Sequence, residues 1–145
     1  MAILFNYADR RPRLTPAIRY KEWIESVFAY NQKASRDVQY VFCSDDFLLN
    51  MNNDFLQHDY YTDIITFDLS EPGQQGISAE IYISWDRVQD NAGLHAVSSL
   101  EELRRVMAHG ALHLCGFGDK TKSEKLEMTY QEDQALRLWD NQSGK

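Results

Sequence analysis

HGALHLCGFGDK, residues 109–120, is the stretch from which the rest of the chain is read. It holds two of the four histidines, His109 and His113. They are four residues apart, so on a helix they lie on one face, about 40° from each other and one turn apart. Two imidazoles in that relation can bite a single metal ion. Gly116 then offers the positive-φ position that ends a helix. Once the chain turns back, Asp119 can swing a third donor under the first two. The spacing is His-x3-His-x5-Asp, and two histidines plus one carboxylate leave a coordination position open, as a catalytic zinc site needs. Cys115 follows His113 by two residues and points about 200° around the helix from it, which sets it apart from that ligand face.

The helix that carries the pair extends upstream. Leu103, Met107, Gly110 and Leu114 recur at i, i+4, i+7 and i+11 as a core-facing stripe. Ser98 or Ser99 caps its start, with Glu101 and Glu102 placed for the positive end of its dipole. Downstream, Thr121 and Glu124 form a capping box that opens the last helix and fixes where Asp119 stands.

Before this helix the pattern alternates. AILFNY near the start reads as a short strand. Thr15-Pro16 reads as a helix start, Thr as N-cap and Pro in the first helical position, followed by a stripe of Ile18, Trp23, Ile24, Val27 and Phe28. DVQYVFCS alternates as a strand does, and Ser44-Asp45-Asp46 opens a second helix. DIITFDL, residues 63–69, and ISAEIYIS, residues 77–84, are two further strands joined through EPGQQG. Residues 85–92 predict a short helix. The whole reads as α+β: one domain over residues 1–145, a small mixed sheet packed with helices, with a disordered tail at 140–145.

With 145 residues, 43% hydrophobic, there is apolar material for one packed core. No apolar run reaches a membrane span, and the short apolar patch at the start lacks the charge order of a secretory signal. A cytoplasmic protein with no membrane partner is expected. Cys43 and Cys115 make no CxxC pair and read as free thiols of a reducing compartment. The net charge of −7 argues against coating nucleic acid through bulk charge. Local basic clusters remain, at Arg10 to Lys21, at Arg104 and Arg105, and at Lys120 to Lys125. Their plainer reading is solvated surface.

HGALHLCGFGD resembles the HGxLHLxGxDH motif of the YbeY family of bacterial rRNA maturation factors. TDIITFD, residues 62–68, resembles that family's PTDVLSFP segment, and EIYIS, residues 80–84, its GDIxIS strand. DRVQDNA fits the helix that follows, and Met128, Glu132 and Leu136 fall where its C-terminal helix has Met, Glu and Leu. The resemblance covers roughly residues 40–138 in unchanged order. It implies a metal-dependent single-strand endoribonuclease acting in small-subunit rRNA 3′-end maturation and ribosome quality control. It implies rRNA and the small ribosomal subunit as partners, not DNA.

Residue by residue, His109 and His113 carry over as metal ligands. Asp119 stands where the family has histidine, Gly118 where it has Asp, and Tyr61 where it has Pro. A family arginine aligns with Leu56. A carboxylate remains an accepted zinc ligand, so the expected cofactor is one divalent ion, Zn²⁺ first, with Mn²⁺ or Mg²⁺ favoured relatively more by the harder oxygen donor. Thr62 and Asp63 are expected behind the ligands or at the substrate, with a turn or strand cap as an equal reading; Arg87, Arg104, Lys120 and Lys122 are candidates for the substrate phosphate on chain position alone, with plain surface as the simpler reading of each. His58, Tyr60, Tyr61 and Tyr82 are candidate RNA contacts, while His95 is expected to have no catalytic role. Two other readings compete. One is a ribosome-associated binding factor with a structural metal and little nuclease activity. The other is a metzincin-like metalloprotease, which Gly110 disfavours, because such enzymes carry a glutamate base directly after the first histidine. Oligomeric state is not specified by the sequence.

Overall fold

The computed structural model describes residues 3–56 and 61–143, the side chains of 55, 56 and 143 excepted. Element order is β1 (Ile3–Tyr7), α1 (Ala17–Tyr30), β2 (Ser35–Cys43), α2 (Asp45–Leu56), β3 (Ile64–Asp68), β4 (Ile77–Ser84), α3 (Trp85–His95), α4 (Ser99–Leu114) and α5 (Lys122–Ser143). The strands form one sheet in the order β1-β2-β4-β3. β1, β2 and β4 run parallel, and β3 pairs antiparallel with β4, the two joined by the loop of residues 69–76. This is the α+β mixed sheet that the sequence predicts.

Alternation along the strands divides the core. Val38, Tyr40 and Phe42 of β2 and Ala79, Ile81 and Ile83 of β4 pack with α1 and α4 in the main cluster. Cys43, Leu48 and Ile65 form a smaller cluster with Met51, Phe67 and Tyr82, so α2 covers the other face. Each large apolar side chain so buried contributes about 1.5–3 kcal/mol. Two buried hydrogen bonds tie the layers together: Tyr40 Oη donates to Met107 O at 2.8 Å, and Trp23 Nε1 to Ala135 O at 2.8 Å.

α4 lies close on the sheet because residue 110 has no side chain. A Cβ there would stand 3.0 Å from Ile64 Cδ1 and 3.1 Å from Ile81 Cγ2. Gly110 therefore faces the β3–β4 pair, not solvent. This is the physical answer to its place beside His109: an acid at this position would enter the core.

Several local expectations are corrected. Pro16 is itself the N-cap of α1, with no side-chain cap bond, and Thr15 lies outside the helix. Ile18 is exposed, because it lies about 200° around the helix from Tyr20, on the side opposite Trp23, Ile24, Val27 and Phe28; Tyr20 belongs to the buried stripe and packs on Trp139 of α5. α3 runs to His95, beyond residue 92, before Ala96 closes it in a left-handed conformation. α5 is helical over 140–143, where a disordered tail is read from the sequence; Gln142 Nε2 donates to Arg19 O at 3.2 Å. Both capping signals hold. Ser98 Oγ accepts from Glu101 N, and Thr121 Oγ1 accepts from Glu124 N while Glu124 Oε1 accepts from Thr121 N.

Candidate metal centre

His109 and His113 project from the last two turns of α4, their rings edge-on at 4.5 Å between centroids. The helix stops at Cys115, and Gly116 reverses the chain with φ +106°. The capping box at Thr121 then anchors the returning loop, and Asp119 Oδ2 comes to 3.2 Å from His109 Nε2 and 3.4 Å from His113 Nε2. One donor atom from each of the three residues lies within 4.8 Å of the other two. The three residues predicted from spacing are thus brought together.

The far nitrogens of both rings are engaged. His113 Nδ1 donates to Phe117 O at 2.8 Å. A carbonyl oxygen only accepts, so that nitrogen carries the proton. His109 Nδ1 lies 2.7 Å from Glu132 Oε2. Glu132 is buried on α5, and its other oxygen accepts from Arg105 Nη1 at 2.9 Å; Arg105 Nη2 reaches Asp133 at 2.7 Å. Burial pulls the His109 imidazole down, but the Glu132 hydrogen bond and charge, with Asp119 and Asp63 behind them, outweigh it and hold it above its usual value.

These partners decide how the triad fits a cation. With Nδ1 protonated on both rings, each neutral imidazole presents its Nε2 lone pair toward the carboxylate oxygen of Asp119. In those neutral forms three acceptors converge, and the same carboxylates that hold the His109 pKa up favour positive charge there, as a proton on Nε2 or as a cation in its place. Such an arrangement is relieved by a positive charge at the point of convergence, and a divalent ion with N and O ligands suits it. Cys115, with burial pushing its thiol up to about 11, is outside this set.

The triad opens on a cleft of about 730 Å³, lined also by Thr62, Asp63, Glu102, Arg105 and Glu132. The cleft is acidic, and Arg105 is the sole lysine or arginine among its described lining residues. Burial raises the Asp63 carboxyl above its ordinary value, and the nearby His109 lowers it by less. Thr62 Oγ1 turns back to Ile64 O at 3.4 Å.

Other sequence candidates go elsewhere. Arg87 does not line the cleft: it pairs with Asp45 at 2.8 Å and Asp90 at 3.7 Å and lies over the Tyr61 ring. Arg104 packs on Trp139 and donates to Tyr20. Tyr82 bonds Glu80. Lys120 and Lys122 are exposed. His58, Tyr60 and the Leu56 side chain lie outside the described residues. Conversely, Arg105 and Glu102 line the cleft without having been singled out for it, and so does His95. For Glu102 the signal was available: residues 102, 109 and 113 share one face of a helix at i, i+7 and i+11.

An α+β domain whose helix-borne His-x3-His-x5-Asp group sits in an acidic cleft defines the class: a small hydrolase built around a site that can hold a metal ion. A family-wide sequence profile described as Endoribonuclease YbeY matches residues 6–140, and the chain belongs to that family. Curated relatives named Endoribonuclease YbeY include one from Cytophaga hutchinsonii, 46% identical over 136 residues, covering 94% of this chain and 94% of that protein. Another, from Parabacteroides distasonis, is 44% identical over 141 residues, covering 95% and 96%. A solution structure of a Thermotoga maritima protein superposes with a TM-score of 0.64 at 24% identity, over 96% of this chain and 89% of that one; it speaks for the fold.

Proposed function

We propose that this chain is a metal-dependent endoribonuclease cutting single-stranded RNA in small-subunit rRNA 3′-end maturation and ribosome quality control. Residues 1–145 act as one catalytic domain, in the cytoplasm, where two unpaired cysteines are at home. Family membership supplies RNA as the substrate class. The observation that carries the metal reading is the convergence of His109 Nε2, His113 Nε2 and Asp119 Oδ2 in the cleft. These three residues would hold one divalent ion, Zn²⁺ first and Mn²⁺ or Mg²⁺ as alternatives. When bound, it supplies Lewis acidity toward water or a phosphoryl oxygen.

The protein's own residues do the remaining work. Phe117 O and Glu132 hold the two imidazoles in the tautomer that presents Nε2 to the cleft. Arg105 fixes Glu132 and keeps its second oxygen occupied. Asp63, held in the same cleft with its affinity for a proton raised by burial, can take a proton from a group that reaches it. Gly110 faces the sheet and plays no part in proton transfer.

The test is elemental analysis of tag-free protein beside His109→Ala and Asp119→Ala, followed by cleavage of a labelled single-stranded RNA with the metal found. Near-stoichiometric metal, lost in folded His109→Ala, together with cleavage abolished by His113→Ala, is expected. A wild type that takes up no ion after supplementation with zinc or manganese would overturn the reading.

A further inference from the structure

His95 and Glu102 form a second polar pair in the cleft, apart from the three converging donors. His95 ends α3 and Glu102 stands in the first turns of α4. Their contact is His95 Nδ1 to Glu102 Oε1 at 3.0 Å. The pair is asymmetric: the Glu102 side chain is 6% exposed, the His95 side chain 58%. A carboxylate taken out of water needs a partner, and here its partner is a ring whose other edge is left in the open. Both residues line the same cleft as His109, His113 and Asp119. Glu102 precedes His109 by seven residues, which is two turns or about 10 Å along the helix axis. No hydrogen bond occupies His95 Nε2 among the described residues.

Resting on the endoribonuclease reading, we infer that His95 is a substrate-contacting residue: its Nε2–H donates to a phosphate oxygen of the RNA strand, at a position displaced along α4 from the metal-binding triad. Glu102 is its positioning residue. By accepting from Nδ1, Glu102 fixes the ring plane and, in the protonated ring, leaves Nε2–H as the donor facing the cleft. The chemistry of the cleft calls for such a group. Its acidic residues repel a polyanion, and Arg105 is committed to Glu132 and Asp133. His95 is the described lining residue of α3 whose protonated ring can offer a strand Nε2–H without breaking the bond to Glu102. It does this two turns from the triad, so its contact holds the strand and not the reacting phosphorus.

The experiment is fluorescence anisotropy with a labelled single-stranded oligoribonucleotide on the zinc-loaded full chain, RNA intactness being checked on a gel. Wild type, His95→Ala and His95→Gln are compared between about pH 5 and 8, where imidazole changes charge. At the acidic end His95→Ala is expected to bind about tenfold more weakly, as for loss of one charge-assisted hydrogen bond. Its salt slope, log K against log salt, should fall by about 0.7, one phosphate contact on a single strand. His95→Gln keeps a neutral donor and should retain part of the affinity while losing one step of the pH profile. Glu102, Arg105, His109 and His113 of α4, Asp63, Asp68, Asp119 and Glu132 also face the cleft, and Asp90 lies on α3 itself. Subtracting the His95→Gln profile from wild type removes the contributions of these groups. Equal affinity, salt slope and pH profile in all three proteins would overturn the inference and leave the nuclease reading standing. A wild type that binds no RNA would overturn both. If His95→Ala loses its circular dichroism, the exposed and isosteric His95→Gln decides alone.

Discussion

Glu132 and His109, on different helices and 23 residues apart, meet at 2.7 Å through Oε2 and Nδ1. The contact couples the packing of α5 on α4 to the direction of a candidate ligand's lone pair. Partners of this kind set the tautomer and ring plane of a metal-binding histidine, and removing one typically costs about 10–100-fold in metal affinity. Glu132→Gln is expected to weaken zinc binding within that range, and Glu132→Ala by more, since Arg105 then loses one of its two carboxylates. Competition against a chromophoric chelator reads the affinity directly. Unchanged affinity in a folded Glu132→Ala would remove Glu132 from any role at the centre.

Gly110 makes a separate prediction about stability. Alanine gains about 1 kcal/mol of helix propensity over glycine. Its Cβ, however, would meet the half-buried Ile64 at Cδ1, 3.0 Å away, and the buried Ile81 at Cγ2, 3.1 Å away. Overpacking of this sort costs about 1–3 kcal/mol. Gly110→Ala should therefore be neutral to moderately destabilised, by up to about 2 kcal/mol in urea unfolding, and Gly110→Val clearly more so. Ile64→Val deletes the Cδ1 methyl and should recover part of the loss in the double variant. A Gly110→Val as stable as wild type would show that α4 does not approach the sheet as closely as described.

The order of elements, the Ser98 cap, the Thr121–Glu124 capping box and the three converging residues were legible because each rests on local rules: period, cap chemistry and helical spacing. What the sequence did not show depends on which helix lies against which. Tyr20 is in period with Trp23, Ile24 and Val27 and Ile18 lies about 200° around from it, but that Tyr20 meets the Trp139 ring comes from the packing of α5 on α1. Arg87 has the right charge for a phosphate, yet Asp45, brought alongside by the packing of α2 on α3, engages it. Glu132 could be matched by its place in the family pattern, but only the α4–α5 pairing shows what it holds. His95 looked idle because its partner, seven residues away, lies across a helix boundary.

The two cysteines should be chemically silent in the folded protein. Burial pushes the Cys43 thiol up to about 12 and the Cys115 thiol up to about 11. At pH 8 the thiolate fractions are then about 10⁻⁴ and 10⁻³, and the thiolate is the reacting species. Cys43 is in addition fully buried, its Sγ 3.5 Å from Ile83 O. An aromatic disulfide reagent at pH 8 should find almost no fast thiol in native protein and both in denaturant. A fast native thiol, or metal content that falls in Cys115→Ser, would contradict the placement of α4.

Asp63 carries the pH prediction. Burial raises its folded-state pKa, while the charge of His109 and a hydrogen bond at its own backbone lower it by less. A carboxyl whose folded pKa lies above its unfolded value binds its proton more tightly when folded. Its contribution is fully present below the unfolded pKa and is lost as pH rises through the folded one. Metal-free wild type should accordingly lose stability from Asp63 as pH climbs from the unfolded-state pKa through the raised folded one. Asp63→Asn, which cannot ionise, should lack that loss: it should match wild type at low pH and exceed it at pH 7 in chelator-treated unfolding. The same variant should lower RNA cleavage if the carboxylate is used in the cleft, since a group kept at a cost to stability is the kind that active sites retain. Equal stability of the two proteins at pH 7 would mean that the Asp63 carboxylate is solvated, and its selection as a proton acceptor would lose its basis.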